Sequence, residues 1–331
     1  MSLVSDRPTQ PARRRWLAAS LAVVPLGAWP AQDYPARSPR LVVPFPPAGA
    51  TDILARLLAD ALGRRLGRSF VVDNRPGAGG NVGGEAVARA APDGYTLLMA
   101  PLSVYAAGTS LMPRRAFDLD RDFTPVATIA AVPHVLVVPT QLGVPSLQGL
   151  LALARAKPGA LGIASQGVGT ISHLEAELLQ SLTGTRFTHV PYKGSAPAHL
   201  DLVAGRVHAM FDSVAASLPH LRSGKLTALA VTTPARCAAL PVVPTVAEAG
   251  VVGYVSESWL ALLVPAKVAP EVVSRLQSAV EAVVTDPDFA ARALEHGLEA
   301  SYRARADVIA LIRAETARWA RVVRDARLKL E

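Results

Sequence analysis

Cysteine is nearly absent from this chain of 331 residues: Cys237 stands alone, so no intrachain disulfide forms and no cysteine-based metal site exists. Aromatic residues make up only 5% and charged residues 18%, which excludes both an aromatic platform for single-stranded nucleic acid and a highly charged disordered tail. The formal net charge is +8, but the basic residues are dispersed and no run is long enough to hold nucleic acid. Beyond the N-terminus no segment reaches the roughly 18 uninterrupted apolar residues of a membrane span. Enzyme signatures are missing too. There is no Gly-x-Ser-x-Gly elbow, no His-Glu-x-x-His helix and no Cys/His cluster, and the seven histidines lack partners at helical spacing. No catalytic residue, cofactor or metal is therefore expected.

What is present is a large apolar inventory, half of the residues, in a chain whose length suits two domains. Residues 1–31 read as an export signal. Arg13, Arg14 and Arg15 form a charged start, and Trp16 to Ala28 an apolar run too short for a membrane span. Arg13-Arg14-Arg15-Trp16-Leu17 also fits the twin-arginine pattern, so both the general secretory and the twin-arginine routes to the periplasm stay open. Ala28 and Ala31 are candidate cleavage positions; the alternative is an uncleaved amphipathic N-terminus. Cleavage there removes four Arg and one Asp and lowers the net charge from +8 to +5, a balance that favours anionic ligands through long-range attraction.

Short apolar strands then alternate with helical patterns. Strands are expected at Leu41 to Val43, Ser69 to Asp73, Tyr95 to Met99, Gly162 to Ser165, Thr188 to Pro191, Val207 to Asp212, Ala228 to Thr232 and Tyr254 to Val264. Helices are expected over Ile53–Leu66, Asn81–Ala90, Ser146–Ala156, Ile171–Leu182, Ala196–Ala204 and Val214–Leu221, and near 270–284 and 305–326. The stretch Val126 to Val138 is apolar, broken only by Pro133, and reads as two strands or as a crossover between domains. Repeated βα units imply parallel sheets covered by helices. The expectation is an α/β protein of two lobes, 32–130 with 228–331 and 131–227, the second inserted into the first.

The turns after the strands carry the candidate chemistry. In Val43-Pro44-Phe45-Pro46-Pro47-Ala48-Gly49-Ala50-Thr51-Asp52 the prolines hold the chain extended, and Thr51 or Asp52 is placed to cap the following helix. Such a turn aims free N–H groups and a positive helix end above the sheet edge, where a carboxylate or phosphate binds; the plain alternative is an ordinary βα turn. The segment Asn74-Arg75-Pro76-Gly77-Ala78-Gly79-Gly80-Asn81-Val82-Gly83-Gly84 has Val82 at the sixth place of a dinucleotide fingerprint and lacks the Lys-Ser or Lys-Thr of a phosphate loop, so its glycines read as permitting close packing. In Ser165-Gln166-Gly167-Val168-Gly169-Thr170-Ile171-Ser172-His173 two glycines free the backbone to approach a ligand, and His173 is either a base or a packing residue. Lys193 in Tyr192-Lys193-Gly194 is either an anion's point charge or a solvated lysine, and Asp212 ends a strand where open α/β sheets place ligand groups.

Five segments in order resemble the Bug family, the extracytoplasmic substrate-binding components of tripartite tricarboxylate transporters: Val43 to Pro47 with Thr51-Asp52, Asn74 to Asn81, Pro92-Asp93-Gly94-Tyr95-Thr96-Leu97-Leu98, Val190 to Gly194, and Pro244-Thr245-Val246-Ala247-Glu248-Ala249-Gly250. The resemblance implies a type II-like, two-lobed periplasmic-binding-protein fold with the ligand in the cleft between the lobes. It implies no catalysis. It also implies capture of a small organic anion, a carboxylate, by a monomer that docks on membrane permease subunits. Carried over, the ligand-binding positions are Phe45, Ala48, Gly49, Ala50, Thr51 and Asp52 on the first turn. Facing them are Ser165, Gly169, Thr170, His173, Tyr192, Lys193, Gly194 and Asp212, and Ser103 lies on the cleft wall Pro101 to Thr109. Two departures stand out: Ala48 occupies the first glycine of the family's Pro-Gly-Gly, and Pro101 to Thr109 replaces a Thr- and His-containing segment, which makes that wall more apolar. An exported α/β hydrolase using Ser172 and His173, and a ligand sensor docking on a signalling protein, are the competing readings.

Overall fold

Pro133 cuts the long apolar stretch into two strands that belong to different sheets. The architecture, taken from a computed structural model, is described for Ser2 and for residues 34–111 and 115–325; the export-signal reading of 1–31 lies outside the described residues. The first sheet's elements are β1 (Arg40–Val43), α1 (Ala50–Leu66), β2 (Val71–Asn74), α2 (Asn81–Ala88), β3 (Thr96–Pro101), α3 (Leu102–Leu111), the single turn α4 (Leu119–Asp122) and β4 (Phe123–Val132). The chain then supplies β5 (His134–Pro139), α5 (Leu147–Ala156), β6 (Gly162–Ser165), α6 (Ile171–Thr183), β7 (Thr188–Pro191), α7 (Ser195–Val203), β8 (Ala209–Ser213), α8 (Val214–Arg222) and β9 (Leu226–Val231). It returns through β10 (Ser258–Pro265), α9 (Pro270–Val284), α10 (Pro287–Glu295), β11 (Glu299–Ala300) and α11 (Arg305–Asp325).

The strand order is β11-β4-β10-β3-β1-β2 in one sheet and β7-β6-β8-β5-β9 in the other. The βα units pair in parallel, as β2-β1-β3 and β7-β6-β8. The sheets are nevertheless mixed rather than parallel throughout, because β10 runs antiparallel to β3 and β4, and β5 runs antiparallel to β8 and β9. The antiparallel strands are those through which the chain passes from one sheet to the other.

Each sheet is covered on both faces, which explains its nearly continuous apolar strands. Leu41, Val43, Leu97 and Met99 meet Leu54, Leu58 and Leu62 of α1 and Leu276 and Val280 of α9. The alternate residues Val42, Leu98 and Ala100 meet Tyr105 of α3 and Ile312 and Trp319 of α11, as the period-two alternation of strand side chains requires. The second sheet is sandwiched likewise, with Leu136, Ile163 and Phe211 on the side of α5 and α6, and Val135, Val137 and Met210 on the side of α7 and α8. Residues beyond 227 still belong with this second set: β9 lies wholly in its sheet, and Cys237, Val243, Val246, Val251 and Tyr254 are buried in its cores. The strand expected from Tyr254 begins only at Ser258, since Tyr254 packs against Phe211 instead. The result is a mixed α/β protein of two lobes.

Candidate functional site

The carboxyl end of β1 runs into a turn whose prolines forbid helix until Gly49. Gly49, not Thr51 or Asp52, is the N-cap of α1, with φ −86° and ψ 168°. Asp52 sits in the first turn and reaches back: its Oδ2 accepts from the Ala48 N–H at 3.1 Å and from Arg56 Nε at 3.0 Å, and its Oδ1 accepts from Arg56 Nη2 at 3.0 Å and Asn74 Nδ2 at 2.9 Å. Burial pushes the Asp52 carboxyl up, but these bonds and the Arg56 charge outweigh it and hold it below the usual carboxylate range. Ala48 itself adopts φ +71°, the left-handed conformation that a glycine takes without strain. Within the turn, Gly49 O accepts from both Asp52 N–H and Ile53 N–H at 3.0 Å. The N–H groups of Ala50 and Thr51 have no partner among the described residues, as expected of a helix start.

These residues form one wall of a cavity of about 620 Å³, its open mouth included. Phe45, Pro46, Pro47, Gly49, Ala50 and Thr51 come from the first turn, Pro101 from the end of β3, Val104 from the first turn of α3, and Val132, Ser258 and Leu260 from the crossing strands. The opposite wall holds His134, Gln166, Ile171, Lys193, Gly194, Ser195, Ala196, Pro197 and Ser213. A second helix therefore starts at the cavity: α7, whose N-cap Gly194 has φ +103° and whose first residue is Ser195. No acidic side chain lines the cavity among the described residues.

Behind this wall lies a buried acid. Asp212 is fully buried, and its Oδ1 accepts from Ser195 Oγ at 3.1 Å, from Gln166 Nε2, and from the Ser213 N–H at 2.7 Å. His199 Nε2 stands 3.1 Å from Asp212 Oδ2. Burial works against the charge on Asp212, yet the close approach of His199, with His134 and the Ser195 hydrogen bond, keeps its carboxyl below the ordinary range. Asp212 thus holds Gln166 and Ser195 in place at the cavity wall.

The expected ligand-binding positions divide accordingly. Phe45, Gly49, Ala50, Thr51, Lys193 and Gly194 line the cavity. Ala48 and Asp52 build the turn beneath it. Ser165, Gly169, Thr170 and His173 shape the loop before α6: Ser165 Oγ meets His189 Nε2 at 2.6 Å, Thr170 Oγ1 donates to Gly167 O at 2.7 Å, and the Gly169 N–H donates to His173 Nδ1 at 3.2 Å. Tyr192 lines a neighbouring outer pocket and donates from Oη to Asp201 Oδ2 at 2.8 Å. Ser103 is buried on the far side of α3, donating to Glu257 O at 2.9 Å and meeting Glu315 Oε2 at 3.0 Å. The Ser172–His173 pair does not form: Ser172 Oγ accepts from the Gln166 N–H at 2.9 Å, while the His173 ring stacks on His189 with centroids 3.9 Å apart.

Sequence reasoning missed His134 and Ser195, and took in Gln166 only as part of the turn Ser165 to His173. A histidine directly after the only proline in a long apolar run was the one local signal for His134. Nothing local marked the other two. The glycine-rich segment packs closely against its neighbours. A Cβ on Gly83 would lie 2.8 Å from Pro44 Cα and 3.0 Å from Arg75 O, and one on Gly79 would lie 3.1 Å from Val168 O; the loop allows close approach, as its composition suggested.

Two lobes, each presenting a helix start to a shared cavity free of acids, define a binding protein for a small anion. The chain belongs to the tripartite tricarboxylate transporter family receptors (TctC), whose family model matches residues 54–328. It is 39% identical to protein BugT of Bordetella pertussis over 306 residues, 91% of this chain and 93% of that protein. Among solved structures it is similar to R. palustris Rpa4515 with adipate, at 39% identity and a TM-score of 0.87, covering 90% of this chain and 99% of the other. The periplasmic binding protein BugD matches at 30% identity and a TM-score of 0.85, covering 89% and 99%. The Bug-family resemblance and the two-lobed fold are thereby established, and the family is one of substrate-binding receptors rather than of enzymes.

Proposed function

We propose that this protein captures one small organic carboxylate in the periplasm and hands it, without chemistry, to the membrane permease subunits of a tripartite tricarboxylate-type transporter. The observation that carries the reading is the convergence of the α1 and α7 starts on a cavity with Lys193 and no acid in its lining. Each helix start acts as roughly half a positive charge and offers N–H donors without the cost of reorganising water. That Rpa4515 was solved with adipate supports a carboxylate ligand. Phe45, Val104, Val132, Ile171 and Leu260 give the cavity apolar walls, so the ligand carries an apolar body rather than being a compact tricarboxylate.

The proposed lobes are 34–132 with 258–325, and 134–257, joined at Pro133 and at the segment before β10; this moves the second boundary past β9, which is paired within the second sheet. Closure about these joints shifts a two-state equilibrium that ligand binding biases. The protein works as an exported monomer, and residues 1–31 direct the export.

Mass spectrometry of ligand released from the purified, denatured protein tests the reading first. A calorimetric and thermal-shift panel of adipate and other dicarboxylates, citrate, aromatic acids and nicotinate follows. Micromolar affinity, about −8 kcal/mol, is expected for one class, with a raised melting temperature as mass action requires and a more compact monomer in solution scattering. Turnover of any panel member, abolished by Ser172→Ala or His173→Ala, would establish the hydrolase reading instead.

A further inference from the structure

His134 opens the second sheet's first strand, on the cavity wall, and only 3% of its surface is exposed. Its Nδ1 lies 2.8 Å from Oε2 of Glu175, a residue of α6 with no exposed surface at all. Among the described residues Nε2 bonds to nothing, yet it is not one of the sealed, partnerless side-chain atoms. His134 lines the cavity, and with its Nδ1 end turned to Glu175 the Nε2 end is the one left for the cavity.

We propose that His134 is the cationic hydrogen-bond donor of the cleft, its Nε2–H meeting a ligand carboxylate while the buried Glu175 positions the ring through Nδ1. This rests on the carboxylate reading given above. The chemistry follows from the tautomers. Glu175 accepts from Nδ1, so that nitrogen keeps its proton. A neutral ring would then present a bare Nε2, an acceptor that repels a carboxylate; only the imidazolium presents N–H at both ends. The surroundings favour that state. Burial pushes His134 down, but the charge and hydrogen bond of Glu175, aided by Asp212, outweigh it and hold the ring above its ordinary value. The charged groups around it are Glu175 from α6, Asp212 from the paired strand β8 with His199 of α7 behind, and Lys193 on the same cavity wall. The neighbouring strands contribute the neutral hydroxyls of Thr232, near β9, and of Ser258 in β10.

Charge on His134 is present below its folded pKa and lost as pH rises through it, so affinity falls with rising pH. The test is calorimetry of the purified protein and of His134→Gln and Glu175→Gln with adipate, benzoate and nicotinate between about pH 6.5 and about pH 9, a range in which these carboxylates stay ionised. For the tightest-bound acid, wild-type affinity should fall at least about tenfold across the range. His134→Gln should bind at least about tenfold more weakly at the acid end and show no slope. Glu175→Gln leaves burial less opposed, so its midpoint should move down by about one pH unit or more and its affinity at the acid end should fall with it, an effect that a merely structural role for Glu175 does not produce. If His134→Gln fails to fold, the Glu175→Gln midpoint decides, and an unmoved midpoint overturns the proposal. Binding by the wild type with no pH slope, together with unchanged affinity in His134→Gln, removes the role of His134 and leaves the carboxylate reading standing. If the wild type binds none of the acids and releases none on denaturation, the carboxylate reading falls and takes this assignment with it.

Discussion

The N–H of Ala48 donates to Asp52 Oδ2 at 3.1 Å, closing the turn that presents the free donors of α1. Four residues apart, the two hold a strained backbone in place: Ala48 pays for φ +71° only because the carboxylate of Asp52, itself anchored by Arg56 and Asn74, fixes its amide. Asp52→Asn should therefore cost about 1–3 kcal/mol of stability at neutral pH, because it removes a charged acceptor of several donors. The sign with pH is set by the depressed folded pKa of Asp52. Its contribution is complete above the unfolded value of about 3.9 and is lost as pH falls through the folded value. Urea denaturation of wild type and variant should show a gap at pH 7 that narrows in acid; a gap independent of pH refutes the assignment.

The free amide of Ala50 can be removed without harming the helix. Ala50 is the first helical residue, where proline is favoured, and Gly49 before it has the extended conformation that a residue preceding proline adopts. Ala50→Pro should leave the melting temperature of the unliganded protein nearly unchanged. It should weaken carboxylate binding by about 1.5–3 kcal/mol, the worth of a hydrogen bond to a charged group, which is roughly tenfold or more. Calorimetry with the best ligand of the panel measures it, and unchanged affinity moves the carboxylate away from α1.

Gly83 packs against the backbone of the same turn. A methyl there meets Pro44 Cα at 2.8 Å and Arg75 O at 3.0 Å, atoms that no side-chain rotation can clear. Gly83→Ala should cost about 1–3 kcal/mol through overpacking and, by displacing Pro44, should also weaken ligand binding. A urea midpoint equal to that of wild type would show that the turn yields freely.

Much of the fold was legible because its signals are local. Ser146 caps α5 through its Oγ, which accepts from the Gly149 N–H at 3.2 Å, and Pro133, with no N–H to give a ladder, marks the break between β4 and β5. Helix α3 was missed because Leu102 to Gly108 is buried on every side, between the first sheet and α11, and so shows no polar stripe. Helix α10 was overlooked although Asp286 caps it and Pro287 starts it, a readable signature. The site was legible at its first turn, where proline and glycine dictate backbone shape. It was illegible at His134, whose partner Glu175 is 41 residues away, and at Gln166 and Ser195, which only the fold gathers on Asp212.

His173 gives the last prediction. Its ring stacks on His189 at 3.9 Å and its Nδ1 accepts from the Gly169 N–H, so the folded protein holds it neutral. Burial, with the charge of His189 as a second cause, lowers its pKa to about 4. In the unfolded chain the same group takes up a proton near pH 6.5. Between those values the unfolded state binds more protons, so stability is complete above about pH 6.5 and declines as pH falls toward 4. The loss attributable to this residue is at most about 3 kcal/mol. His173→Asn, which cannot be protonated, should lower stability at pH 7.5 but flatten the decline between about pH 6.5 and pH 4. His189 is also held low by burial, so some slope remains in the variant. Denaturant midpoints measured across that range decide: an unaltered slope in His173→Asn means that the acid sensitivity of this lobe arises elsewhere.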